Sequence, residues 1–195
     1  MENPLRPESV VGAGRGSLIL AMAGAGWLGW GLGVARAFNP VVGPIFGTVA
    51  ILLWICSIYV IRTGVALRRQ LPPSSGTMPK FPTKPFILIT LVEALAIALV
   101  LFAAARLHRA DLAALGCALV VGLHYLPLAK IFRAPILAFF GILIALWCVL
   151  SWGLFRSNAL LIAVTTGTGA LLWAASIATL LRARTLIRSL NSQVR

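Results

Sequence analysis

Pro85-Phe86-Ile87-Leu88-Ile89-Thr90-Leu91-Val92-Glu93-Ala94-Leu95-Ala96-Ile97-Ala98-Leu99-Val100-Leu101-Phe102-Ala103-Ala104-Ala105 carries one charged side chain in an otherwise apolar run. About 20 such residues make a helix that crosses a hydrocarbon core of about 30 Å. Nothing in the run alternates as a barrel strand would, and in lipid a backbone without strand partners satisfies its amides only as a helix. Comparable runs occupy residues 17–35, 41–61, 112–132, 135–155 and 159–181. The expected fold is an all-α integral membrane protein with six transmembrane helices.

Composition agrees with that reading. Of the 195 residues, 60% are hydrophobic and only 11% charged, with a mean hydropathy of +0.98, which is more apolar surface than a soluble domain of this size can hide. The formal charge of +13 does not imply a nucleic-acid partner, because no soluble basic domain is present to carry the phosphate contacts. Thirteen of the 17 Lys and Arg residues fall in the amino end, the second and fourth loops and the carboxyl end. The positive-inside rule then places both termini in the cytoplasm. The first run is longer than a signal peptide's apolar region and is followed by further spans, so it is expected to be retained.

Residues 1–16 are polar and are expected to form a flexible lead. Residues 62–84 hold Arg68, Arg69, Lys80 and Lys84 with Pro72, Pro73, Pro79 and Pro82, a composition suited to a solvated, partly polyproline cytoplasmic loop. The tail, 182–195, carries Arg182, Arg184, Arg188 and Arg195. It could continue the last helix along the membrane and attract anionic lipid, although topological anchoring accounts for the same arginines.

Three cysteines, Cys56, Cys117 and Cys148, stand in apolar runs without CxxC or Cys/His spacing and read as small buried hydrophobes. Ala21, Ala25, Gly29 and Gly33 recur every four residues, a smooth stripe where another helix, from this chain, a second copy or a membrane partner, could approach closely. Leu52-Leu53-Trp54-Ile55-Cys56-Ser57-Ile58 is echoed by Leu171-Leu172-Trp173-Ala174-Ala175-Ser176-Ile177. Both runs should cross in the same direction, as parallel repeats would.

Glu93 and His124 are the titratable side chains well inside the expected spans. An intramembrane charge costs about 2.5–3.5 kcal/mol on insertion scales, so such an acid calls for a partner, a cavity or a proton. Counting at 1.5 Å per residue puts Glu93 roughly 10 Å and His124 roughly 12 Å inside their helices from the cytoplasmic end. Equal depth on adjacent helices makes a bonded pair possible. Pro127 withdraws its amide from the ladder and disturbs the carbonyl of Leu123, next to His124. Thr90, Ser57 and Ser176 could complete a polar cluster. The bland reading is that Glu93 and His124 simply fasten two helices, a bond that contributes about 0.6 kcal/mol in membranes. His108 belongs to a turn and should be exposed.

No nucleophile with a positioned base is visible, so no catalytic residue is assigned. The glycines from Gly12 to Gly16 lack the lysine of a phosphate-binding loop. One interior histidine cannot ligate a bis-histidine haem, and no His/Cys/carboxylate spacing suits zinc, so no cofactor or metal is expected.

At Gly122-Leu123-His124-Tyr125-Leu126-Pro127-Leu128-Ala129-Lys130-Ile131-Phe132-Arg133-Ala134-Pro135 the chain resembles a family of small bacterial inner-membrane proteins, a domain of unknown function with a Gly-Leu-His-aromatic-Leu-Pro-Leu-Ala signature. The likeness implies a location in the bacterial cytoplasmic (inner) membrane and no particular reaction. If the signature marks a functional position, it marks His124, Tyr125 and Pro127. Three functions follow as expectations: a small transporter-like or accessory component with a buried Glu93/His124 pair as its ligand or proton site, a membrane-embedded enzyme or sensor using His124, or a purely structural subunit.

Overall fold

The computed structural model describes residues 7–70, 83–132 and 134–194. They form six helices: α1 (Pro7–Val34), α2 (Val42–Gln70), α3 (Thr83–Arg106), α4 (Ala110–Phe132), α5 (Pro135–Leu154) and α6 (Ser157–Val194). All six are long and apolar enough to cross a membrane. The start of the expected lead (1–6), most of the proline-rich loop including Pro72, Pro73, Pro79, Lys80 and Pro82, and Arg133 and Arg195 lie outside the described residues.

Local chemistry explains where the helices stop. Asn39 accepts hydrogen bonds from the amides of Val41 (2.9 Å) and Val42 (2.8 Å) at the start of α2, as an amide side chain does at a helix entrance. Arg36 (φ 51°) ends α1 and His108 (φ 53°) ends α3 in the left-handed region. The amides of Ala37 and Arg109 then bond back to Leu32 and Ala104, closing orphan carbonyls as a Schellman turn does. Pro135 occupies the first turn of α5, where its missing N–H is not needed.

Three helices run well past the expected spans. α1 begins at Pro7, so residues 7–16 are helical and not a flexible lead; α2 continues to Gln70, which removes residues 62–70 from the expected loop; α6 runs unbroken through the basic tail to Val194. The extensions are held by packing, which a hydropathy pattern does not register. Val10, Val60, Leu67, Ala183 and Leu190 form a buried cluster with Ala13, Leu180, Leu186 and Ile187 against it.

The chain divides into two compact units. The first comprises Met1–Ala25, Asn39–Met78 and Leu172–Arg195. Its described part is built on α1, with α2 and α6 both antiparallel to it. A Cβ at Gly14 would lie 2.7 Å from Ile61 Cγ1 and 3.0 Å from the Ile61 amide nitrogen, and one at Gly64 would lie 3.0 Å from the Val11 amide nitrogen. Glycine on each helix therefore admits the other's backbone. Trp173 Nε1 donates to the carbonyl of Ala21 at 3.1 Å. Ala21, the first member of the small-residue stripe, is fully buried inside this unit, whereas Gly33 is exposed.

The second unit comprises Gly26–Phe38 and Pro79–Leu171. Here α4 packs on both α3 and α5. A Cβ at Gly122 would meet the carbonyl oxygen of Gly141 at 2.9 Å, so α4 and α5 touch backbone to backbone. The indole of Trp147 lies over Gly167 and donates to the carbonyl of Ala163 at 2.9 Å. α3 presents its opposite face outward, with Leu91, Leu95 and Leu99 62%, 63% and 60% exposed.

Candidate functional site

Three contacts define the α3–α4 seam. Phe86 meets Phe132 edge-on with ring centroids 6.0 Å apart. Glu93 Oε2 lies 3.0 Å from His124 Nδ1. A Cβ at Gly116 would lie 2.6 Å from Val100 Cγ1. Each step is seven or eight residues, two helical turns, so one inward stripe of each helix carries all three. Phe86, Ile89, Glu93, Ala96, Ile97, Val100 and Ala104 are the less exposed positions of α3, and Glu93 belongs to that stripe.

The two side chains remain 20% (Glu93) and 12% (His124) exposed. Their 3.0 Å separation is within ion-pair reach, yet Nδ1 has no hydrogen bond that also meets the angular requirement. The carboxylate oxygen thus lies off the axis of the ring N–H. The contact is a juxtaposition of acid and base, and a turn of either group would align it.

The other residues singled out by the sequence fall in several places. Tyr125 follows His124 by about 100° around α4. Its Cβ lies 3.0 Å from a Cβ built at Gly141, so Tyr125 turns toward α5 while its ring stays edge-on to His124 at 5.6 Å. Pro127 is within α4, which continues to Phe132. Thr90 is exposed and donates to the Phe86 carbonyl at 3.0 Å, outside the Glu93/His124 contact. Ser57 and Ser176 belong to the other unit. There Ser17 Oγ lies 3.0 Å from Ser57 Oγ and 2.8 Å from Ser176 Oγ. All three serines are fully buried. Glu93 and His124 thus make an acid–base contact in one unit, and Ser17, Ser57 and Ser176 make a serine node in the other.

That node was missed because nothing in residues 17–35 singles out Ser17. The echoed heptads held the signal: their serines occupy the same place in the repeat and converge on one hydroxyl. Asp111 was also missed. It is 5% exposed at the start of α4, and Arg109 grips it through Nε (2.8 Å) and Nη2 (2.7 Å). That bond, and the carboxylate charge, raise the pKa of Arg109 above its already high ordinary value. His108 is exposed in the same turn, as expected, and lines with Leu101, Ala104, Ala105, Arg109, Ala110 and Ala113 an open cleft of about 390 Å³. Cys117 and Cys148 are buried, but Cys56 is exposed, so an apolar run did not imply burial for it. Among the described residues no three His, Cys, Asp or Glu side chains gather as a metal site would require.

The fold and this pair define the chain as an all-helical protein with six helices fit to span a membrane, two of them joined by an acid–base contact. No protein-family profile matches the chain, and neither a curated protein nor a solved structure is detectably similar to it.

Proposed function

We propose that the protein is an integral component of a bacterial inner membrane, with both termini cytoplasmic, and that it acts as a small transporter-like or accessory subunit in which Glu93 and His124 exchange a proton. The observation carrying this reading is the 3.0 Å approach of Glu93 Oε2 to His124 Nδ1 on two otherwise apolar helices. Carboxylate with imidazolium, and carboxylic acid with imidazole, are both neutral overall, so a buried pair can hold either arrangement without an uncompensated charge. Transfer of the proton from Nδ1 to Oε2 interconverts them. Taking up one further proton, or losing the shared one, leaves the pair charged in a poor solvent for charge, which couples protonation to a rearrangement or to a counter-ion. The bacterial inner-membrane location is proposed from the sequence resemblance of residues 122–135 alone.

Proton flux into liposomes containing the purified protein, at two pH values, tests the proposal. Wild-type flux that falls in His124→Ala and in Glu93→Gln is expected. Equal flux in all three proteins would remove the pair from any transport step.

A purely structural reading is favoured by one observation: Phe86/Phe132 and Gly116/Val100 hold the same register on either side of the pair, as they would around a fastening. An absence of flux in every sample would favour it.

A further inference from the structure

The ends of α1, α2 and α6 in the first unit form more than helix overhang. α1 starts at Pro7, while α2 and α6 reach Gln70 and Val194. Val10, Val60, Leu67, Ala183 and Leu190 give these ends a core of their own. Their exterior is rich in arginine: Arg15, Arg62, Arg68, Arg69, Arg182, Arg184 and Arg188 are all exposed. Among the described residues the acid on this surface is Glu8, 3.5 Å from Arg68.

The serine node fixes the relative height of these arginines. Ser57 and Ser176 each bond to Ser17, so the three are level. From that level toward the start of α1 and the ends of α2 and α6, Arg15 lies roughly 3 Å away, Arg62 roughly 8 Å and Arg182 roughly 9 Å, at 1.5 Å per residue. Arg184, Arg68, Arg69 and Arg188 follow within roughly 10 Å more. Three helices thus place their first arginines in one narrow belt, just where each apolar length of about 20 residues ends.

We propose that this belt binds the phosphate groups of anionic lipid headgroups around the bundle. The inference rests on the membrane reading above but not on the Glu93/His124 pair. Guanidinium forks match phosphate oxygens two at a time. A belt radiating from three helices at the edge of the apolar zone suits a surrounding sheet of headgroups. A soluble polyanion would be better met by arginines gathered on one face or in a cleft.

The full-length protein is placed in nanodiscs of equimolar phosphatidylcholine and phosphatidylglycerol, released in mild detergent, and its retained lipids are counted by native mass spectrometry. Phosphatidylglycerol is expected to be retained preferentially. Each of Arg15→Gln, Arg62→Gln and Arg182→Gln should reduce that preference about fivefold, the equivalent of about 1 kcal/mol per surface cation. Arg36→Gln and Arg156→Gln, at the other ends of α1 and α6, should leave it unchanged. Equal retention of the two lipids by the wild type, or equal loss in the control variants, overturns the inference. So does displacement of phosphatidylglycerol by inorganic phosphate, which would show a general anion site. Failure of the wild-type protein to enter nanodiscs would overturn the membrane reading together with this one.

Discussion

A Cβ placed on Gly141 would stand 2.5 Å from the carbonyl oxygen of Gly122, which makes these glycines the point where α5 and α4 share one surface. Neither backbone can yield as a flexible side chain would. Gly141→Ala should therefore separate the helices at a cost of about 1–3 kcal/mol, the usual range for overpacking. Gly153→Ala on the same helix, where an added Cβ meets nothing within 4 Å, should be close to neutral. Thermal melts of both variants in one detergent compare them directly.

Ser17 contacts the hydroxyls of Ser57 and Ser176, but each of those has a second outlet. Ser57 Oγ donates to the Leu53 carbonyl at 2.7 Å, and Ser176 Oγ donates to the Ser17 carbonyl at 3.0 Å. Ser17→Ala leaves both donors satisfied, so its cost should be about 0.6 kcal/mol per membrane hydrogen bond lost. Ser17→Leu forces a large side chain into a fully buried position and should lower the melting temperature much further. Equal melting temperatures for the two variants would contradict the packing described here.

If the Glu93/His124 contact is only a fastening, Glu93→Leu/His124→Leu should insert and melt close to the wild type, because two apolar side chains replace two polar ones that met each other. Either single leucine variant should be less stable than the double, having left an acid or a base without its partner. A double variant less stable than both singles would mean that the pair organises more than its own contact.

Arg109 gains its bonds to Asp111 as a cation, and its pKa is raised by them. A group whose folded pKa is raised contributes stability below its unfolded pKa and loses it as pH rises through the folded value. For arginine that window lies above an already high ordinary value, beyond reach. Arg109→Lys moves it down to the range of lysine, near about 10.4, and removes the fork that grips both carboxylate oxygens. The variant should melt lower than the wild type at pH 7 and fall further behind between pH 9 and pH 11. A constant difference across that range would argue against the ion pair.

Element existence and type were legible in this chain, and boundaries were legible only where local chemistry sets them. The fifth apolar run begins at Pro135, and so does α5. The true start of α1 and the ends of α2 and α6 could not be read in this way, since they depend on Val10, Val60, Leu67 and Leu190 burying one another. Glu93 and His124 could be placed at equal depth by counting along two helices. Their facing could not be counted, because it depends on how α3 and α4 rotate about their own axes.

Six apolar lengths with charges at their ends follow from the chain alone, since hydrophobicity is a sum over neighbours in sequence. Which hydroxyls, glycines and charges meet is settled between helices by steric fit at sub-ångström tolerances. That is why Ser17 emerged as a node and Ser57 and Ser176 joined it, while the acid–base pair formed in a different unit.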